Sequence, residues 1–385
     1  MLSLLLIAGV ARAQSPPSNL QPRHRRSHVL PITDFYDVPK PLPQGKPGDL
    51  IRSEEYDDYE LPYQLIVKRI LYHSRSATGE DVAVSGVVLV PPGNPPSGGW
   101  RVIAWAHGFT GIGRQCAPSL MRNVDSGPIL AMYVRLGYVV VASDYAGLGT
   151  DFRSASVDLP SNATDIINSI PAARAAVPHL ASKWLAMGKS EGGLVAMAVD
   201  EMESGMDDPG FLGSVSLTGI AQMEDIYQRL ATGPSPGRVF PLSFAIKTVS
   251  PKFDVEEMLT AKGLPLYEQA AKSCLEVESQ PISASEILRP GWDRGTLVQD
   301  FFRRDALGLK TAKGPILIVS GGADSMLTPA MTETLVARLC QRNDQVQWYD
   351  FPGLDPGELI GTSVRDPIAW IQGRFAGEPA PTTCH

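Results

Sequence analysis

The sequence predicts an α/β protein: a mainly parallel β-sheet flanked by helices, with a mostly helical segment inserted between its two halves. Three observations predict it. Short, continuous apolar runs at residues 102–106 and 138–142 have the pattern of strands buried on both faces of a parallel sheet. Helix-length stretches alternate with such runs, as right-handed βαβ crossovers require. That rhythm breaks at about 221–313, a span too long for a structureless loop, since loops beyond about 15 residues are uncommon in compact domains.

Taken in order, residues 1–13 read as a signal peptide. Residues 2–10 are apolar and Ala11-Arg12-Ala13 is a small-x-small site, so cleavage is expected near Ala13, with export to the periplasm or the medium. The run is shorter than the roughly 20 apolar residues a bilayer demands, and no other uninterrupted candidate follows, so no stable membrane insertion is expected. Residues 14–63, rich in Pro, Arg, Asp and Glu without a sustained apolar period, read as an extended arm with turns. The first part of the core, 64–220, opens with a hairpin, residues 64–72 and 82–90, turning near Gly79. After the strand at 102–106, residues 129–136 supply the last turns of a helix, with Gly137 just past its end. The strand at 138–142 is followed by a helix at 163–177 that tolerates Pro171, a strand at 184–187, a helix at 191–202 and a strand at 213–217. The inserted cap, 221–313, has helix-like stretches at 223–230 and 255–271 joined by Pro/Gly-rich turns. Residues 314–385 then give strand 315–320, helix 329–340, strand 346–351, helix 363–375 and a tail.

At 385 residues, 43% apolar and 19% charged, the chain can bury a sizeable core in one elaborated domain or two. Its 34 basic and 41 acidic side chains give a net charge of −7 without a basic block, which argues against a nucleic-acid partner. The four cysteines suit an oxidising compartment. Cys116, Cys274, Cys340 and Cys384 allow three pairings, of which the inferred topology favours Cys116 with Cys274, tying a core loop to the cap, and Cys340 with Cys384, pinning the tail. No C-x-x-C spacing occurs and the six histidines are scattered, so neither a metal site nor a cofactor is expected.

The chemistry centres on Gly188-Lys189-Ser190-Glu191-Gly192. This G-x-S-x-G sits where a strand meets a helix, the context in which a strained turn projects a nucleophilic serine over the sheet edge. The flanking Gly188 and Gly192 leave room for that turn. Upstream, Trp105-Ala106-His107-Gly108-Phe109-Thr110-Gly111 follows a buried strand where an oxyanion loop belongs, so the backbone N–H groups near Phe109 and of Glu191 are candidates to hold a tetrahedral oxyanion. His107 reads as a residue that shapes this loop, and Asp144 and Tyr145 likewise read as structural. Downstream, Asp324 ends a strand where the orienting carboxylate of a Ser, Asp, His triad falls in chain order, although an Asp there can equally cap the following helix. Together these features give an α/β-hydrolase fold.

The chain resembles the secretory lipases of fungi and their bacterial relatives within the α/β hydrolases. The likeness rests on His107-Gly108-Phe109-Thr110-Gly111 with Cys116-Ala117-Pro118-Ser119, on Ser143-Asp144-Tyr145-Ala146-Gly147-Leu148-Gly149-Thr150, and on the elbow at Ser190. It extends to Phe351-Pro352-Gly353-Leu354-Asp355, Trp370 and Arg374-Phe375-Ala376-Gly377 before Cys384. It implies an exported serine carboxylic ester hydrolase, a lipase or esterase, that forms an acyl-enzyme on Ser190 beneath a helical cap. A small-molecule ester or lipid-like ligand is then the expected partner. In that family the catalytic histidine follows the Gly-Leu-Asp-like turn immediately, and Pro356 stands there. No histidine lies between Asp324 and His385. Three readings follow: an esterase with another base, among which Asp355, Glu358 and a folded-back His385 are candidates; a degenerate hydrolase-fold protein that binds a lipid-like ligand; or acyl transfer or other non-hydrolytic chemistry.

Overall fold

The computed structural model describes residues 28–206, 208–275, 280–362 and 365–384. The expected signal peptide, most of the first half of the arm and His385 lie outside the described residues. Among the described residues nine strands form one sheet in the order β1-β2-β3-β5-β4-β6-β7-β8-β9. Strands β1 (Leu50–Glu55), β2 (Ile66–Arg75) and β3 (Asp81–Val90) are antiparallel, and β3 pairs antiparallel with β5. From there the sheet is parallel: β4 (Trp100–Ala106), β5 (Tyr138–Ser143), β6 (Leu180–Lys189), β7 (Phe211–Leu217), β8 (Ile316–Gly321) and β9 (Val346–Phe351).

The parallel strands divide their side chains between two apolar layers, because successive residues of a strand point to opposite faces. On β5, Val139 and Val141 join one layer and Tyr138, Val140 and Ala142 the other. On β4 the split is Val102, Ala104 and Ala106 against Ile103 and Trp105. Helix α1 (Gly127–Arg135) covers the second layer, with Leu130, Tyr133 and Val134 inward, and α2 (Leu159–Ala176) and α3 (Glu191–Met206) cover the first. Pro171 does sit within α2, which starts at an N-cap, Asp158, whose carboxylate accepts from the Ser161 N–H at 3.0 Å.

Between β7 and β8 the chain runs through α4 (Met223–Thr232), α5 (Phe240–Val249), α6 (Gly263–Ala270), α7 (Ala284–Ile287) and α8 (Thr296–Arg304). It is anchored to the core where the Arg304 guanidinium, ending α8, donates to the Asp158 carboxylate at 2.7 and 3.1 Å. After β8 come α9 (Pro329–Gln341), β9, α10 (Pro356–Thr362) and α11 (Arg365–Ala376). Cys116 is bonded to Cys274 and Cys340 to Cys384.

Three elements differ from the sequence reading. The arm is not only extended chain and turns, since Leu50–Glu55 adds an edge strand to the sheet. The stretch 255–271 is not one helix: a short 3-10 turn at Val255–Glu257 and an isolated bridge between Leu259 and Leu288 precede α6. The turn after β9 leads into a separate helix, α10, before α11.

Candidate functional site

The strand β6 ends at Lys189 and α3 begins at Glu191, leaving Ser190 alone to reverse the chain. It does so with φ at 57°, a left-handed conformation that a non-glycine residue adopts at a cost. Two contacts hold it there, the Ser190 N–H donating to the Leu217 carbonyl at 3.1 Å and to Thr218 Oγ1 at 3.0 Å. The glycines around it have no space for a side chain. A Cβ on Gly188 would lie 2.0 Å from the Gly192 carbonyl oxygen, and one on Gly192 would lie 2.0 Å from that of Ala106. The packed backbone of β4, β6 and α3 therefore fixes an exposed Ser190 at the sheet edge.

The loop after β4 lies against the elbow: a Cβ on Gly108 would be 3.4 Å from Ser190 Cβ. Among the described residues, the N–H groups of Phe109 and Glu191 make no hydrogen bond, so both are open to an acceptor. His107 is committed elsewhere. Its Nδ1 lies 2.6 Å from the Gly108 carbonyl oxygen and its Nε2 lies 3.1 Å from that of Asp144. The ring stacks on Tyr145, whose hydroxyl donates to the His107 carbonyl at 3.1 Å. Asp144 in turn accepts from the Ser119 N–H at 2.8 Å and Ser85 Oγ at 2.6 Å. These groups shape the loop.

Ser190 opens into a cavity of about 340 Å³. Met223, Ile226, Tyr227 and Leu230 of α4 line it at i, i+3, i+4 and i+7, together with Phe109, Val157 and Leu194. The lining also includes Asp125, Lys189, Glu191 and Arg238. Burial pushes the Glu191 carboxyl up to about 8, only partly opposed by the Asn162 amide, which donates to its Oε1 at 3.2 Å. Sequence reasoning considered only the Glu191 backbone. The α4 face was legible from its apolar period, whereas nothing in the sequence signals the contact with Asn162.

Asp324 lies in the turn after β8, next to the cavity residues Met326 and Leu327. Its Oδ1 accepts from the N–H groups of those two residues at 2.7 and 2.9 Å, while its Oδ2 makes no hydrogen bond among the described residues. It does not cap α9, whose N-cap is Thr328. Burial raises its pKa, the two N–H groups and Arg229 lower it, and the nearby Asp355 raises it. The turns after β8 and β9 thus converge, as the Ala323 N–H bonded to the Leu354 carbonyl at 3.0 Å also shows.

Pro356 is the first residue of α10. Asp355 caps that helix, its Oδ1 accepting from the Gly357 and Glu358 N–H groups at 2.8 and 2.9 Å, and Glu358 Oε2 accepts from the Asp355 N–H at 3.4 Å. This reciprocal pair is a capping box with proline at the first helical position. Both carboxylates are exposed and neither lines the cavity, so their candidacy as the serine's base is not supported. Among the described residues no imidazole lines the cavity, Ser190 Oγ has no hydrogen-bond partner, and no cluster suited to a metal ion occurs.

No family model matches the chain and no curated protein is similar to it. Its structure is similar to that of Candida antarctica lipase A in its closed state, with a TM-score of 0.79 at 18% identity over 92% of this chain and 89% of that one. It is also similar to the rice cell wall degrading esterase LipA from Xanthomonas oryzae, with a TM-score of 0.71 at 20% identity over 86% of this chain and 98% of that one. A third likeness is to a Legionella pneumophila protein described as a hydrolase, with a TM-score of 0.72 at 19% identity over 86% and 100% of the two chains. At these identities the likeness establishes the α/β-hydrolase fold.

Proposed function

We propose that the protein is an exported carboxylic ester hydrolase of the lipase or esterase type that forms an acyl-enzyme on Ser190. The single observation that carries this reading is the elbow itself: a strained, exposed serine at φ 57°, opening into a mostly apolar cavity beside two uncommitted backbone N–H groups. Strain at one residue is maintained only where surrounding packing enforces it, and here it serves to present Oγ. The N–H groups of Phe109 and Glu191 hold the oxyanion, and Asp324, with one oxygen unbonded among the described residues, is the carboxylate placed to orient a base. The helical segment over α4 acts as the cap of an acyl pocket, with 221–313 as its extent. The neighbours named lipase and esterase support the substrate class. The two disulfides support export. No helix among the described residues is long and apolar enough to cross a membrane.

Labelling with a fluorophosphonate tests this, together with hydrolysis of p-nitrophenyl esters of two to sixteen carbons. A covalent adduct mapped to Ser190, with both adduct and turnover lost in Ser190→Ala, is the expected result. That no imidazole among the described residues lines the cavity favours a second reading, a protein that holds a lipid-like ester without turning it over. Stoichiometric binding of a long-chain ester with no adduct and no product would establish that reading instead, and transfer of the acyl group to an added alcohol in preference to water would mark acyl transfer.

A further inference from the structure

A serine needs a group that takes its proton and returns it to the departing alcohol. The residues placed around Ser190 narrow the choice. His107 has both ring nitrogens against carbonyl oxygens, and Asp355 and Glu358 cap α10. Asp125 is exposed to solvent and accepts from its neighbour Ser126 at 3.0 Å. Among the described carboxylates that line the cavity Glu191 remains: it follows the nucleophile directly. One oxygen is fixed by Asn162, itself buried and anchored to the Ser156 carbonyl at 2.7 Å. The other makes no hydrogen bond among the described residues, and no cation pairs with the carboxyl.

We propose that Glu191 is the proton carrier of this site, acting on Ser190 through one bridging water. The proposal rests on the reading of Ser190 as the nucleophile. In acylation the Ser190 Oγ–H proton passes through the water to the Glu191 carboxylate, Oγ bonds to the ester carbonyl carbon, and the carbonyl π pair moves onto the oxygen held by the two N–H groups. Collapse of the intermediate breaks the bond to the alkoxy oxygen, which takes the proton back from Glu191 and leaves as alcohol. In deacylation Glu191 accepts a proton from the attacking water, and the acyl carbon–Oγ bond breaks with return of that proton to Ser190. Ester and water are consumed; acid and alcohol are formed.

Burial around Glu191 suits it to this task. A carboxyl pushed up to about 8 is a stronger base, once ionised, than an exposed one, and a ready acid when protonated. Tyr227 from α4 and Tyr145 from the loop after β5 both sense its charge, and Lys189, Asp125 and Arg238 share the cavity. Asn162 faces it from α2.

The pH dependence of p-nitrophenyl ester hydrolysis in the full-length protein is the test. The wild-type kcat/KM is expected to rise about tenfold per pH unit and level off near pH 8. Glu191→Gln, which keeps the oxygen that accepts from Asn162, should lower the plateau by about 10² to 10⁴ and remove that limb. Glu191→Ala should be equally slow and regain rate with added formate, while Glu191→Gln does not. Loss of activity uniform with pH and without formate rescue indicates a structural role and overturns the proposal. If Ser190→Ala abolishes turnover but both Glu191 variants keep the wild-type rate and profile, the proposal fails and the Ser190 reading stands. A wild-type protein with no turnover and no adduct at Ser190 overturns both.

Discussion

Replacing Pro356 by histidine should create a faster enzyme, and the structure bounds both the gain and the cost. Position 356 begins α10 in the turn just past β9, on the same edge of the sheet as Ser190. The neighbouring Asp355 is close enough to Asp324 to disfavour its ionised form. Asp324 Oδ1 is held by the Met326 and Leu327 N–H groups, which leaves Oδ2 to accept from an imidazole Nδ1–H. At pH 7 a carboxyl with a pKa of about 8 is ionised in only roughly one molecule in ten, so Glu191 is mostly idle. An imidazole, with a pKa of about 6.5, is mostly neutral there. An imidazole available in most molecules rather than in one in ten should raise kcat/KM for a p-nitrophenyl ester at pH 7 about tenfold in Pro356→His. The structural cost is small, because the Asp355 and Glu358 capping pair survives and only proline's restriction of the unfolded chain is lost, about 0.4 to 1 kcal/mol. The gain should depend on Asp324, so adding Asp324→Asn should remove most of it. A folded Pro356→His with an unchanged rate, or a gain indifferent to Asp324→Asn, would refute the argument that this edge of the site still has triad geometry.

Three further outcomes follow from packing and charge. Gly192→Ala places a Cβ 2.0 Å from the Ala106 carbonyl oxygen, where only backbone can move; it should cost about 3 kcal/mol or more in urea unfolding, and a loss below about 1 kcal/mol would mean that the elbow yields. Replacing Cys340 and Cys384 by serine frees a tail bonded across a sequence separation of 44 residues and should lower stability by about 2 to 4 kcal/mol, with turnover at Ser190 retained. Asp165, buried against Ser74 and the Ala146 N–H, is pushed up to about 7 by that burial. Its folded pKa exceeds the unfolded value near 3.9, so its contribution is complete below about pH 4 and is lost as pH rises toward 7, by at most about 4 kcal/mol. Melting temperature should therefore fall between about pH 4 and pH 7, and Asp165→Asn should flatten the decline; an unchanged slope would show that Asp165 is not its source.

The parallel half of the sheet was legible because its strands carry apolar residues on both faces, so runs such as Val139–Val141 need no tertiary context to be recognised. The edge strand β1 was not. Its sequence, Leu-Ile-Arg-Ser-Glu-Glu, has one end apolar and the rest polar, and it is a strand because the free edge of β2 offers it hydrogen bonds. Within 255–271 the apolar period spans a 3-10 turn and a bridge to Leu288, partners supplied from 29 residues away, and local pattern cannot foresee that break. Ser190 was readable because its motif and its context both lie within one strand-to-helix turn. Glu191's side chain was not, since Asn162 and the walls that bury it come from α2 and α4. The Asp355, Pro356, Glu358 pattern carries a helix-start signature in plain view; as candidate bases these carboxylates lose to the cap, because a short helix leaves N–H groups that must be satisfied locally.

That cap also bears on how this edge is stable with no imidazole beside it among the described residues. Two carboxylates, Asp324 and Asp355, approach each other where the turns after β8 and β9 converge, and Asp355 raises the cost of ionising Asp324. A protonated histidine between them would relieve that repulsion. In its absence the N-terminus of α10 takes up the charge of Asp355, while two backbone N–H groups and Arg229 favour the charge of Asp324. Proline at the first position of α10 gives up a hydrogen-bond donor that the cap does not need and fixes φ near the helical value. Both carboxylates at this edge therefore have donors of their own, and the proposed proton carrier lies instead at the start of α3. Glu191 is positioned there by the elbow that presents Ser190, so any packing change that relaxes the elbow, Gly192→Ala above all, should disturb nucleophile and proton carrier together rather than one at a time.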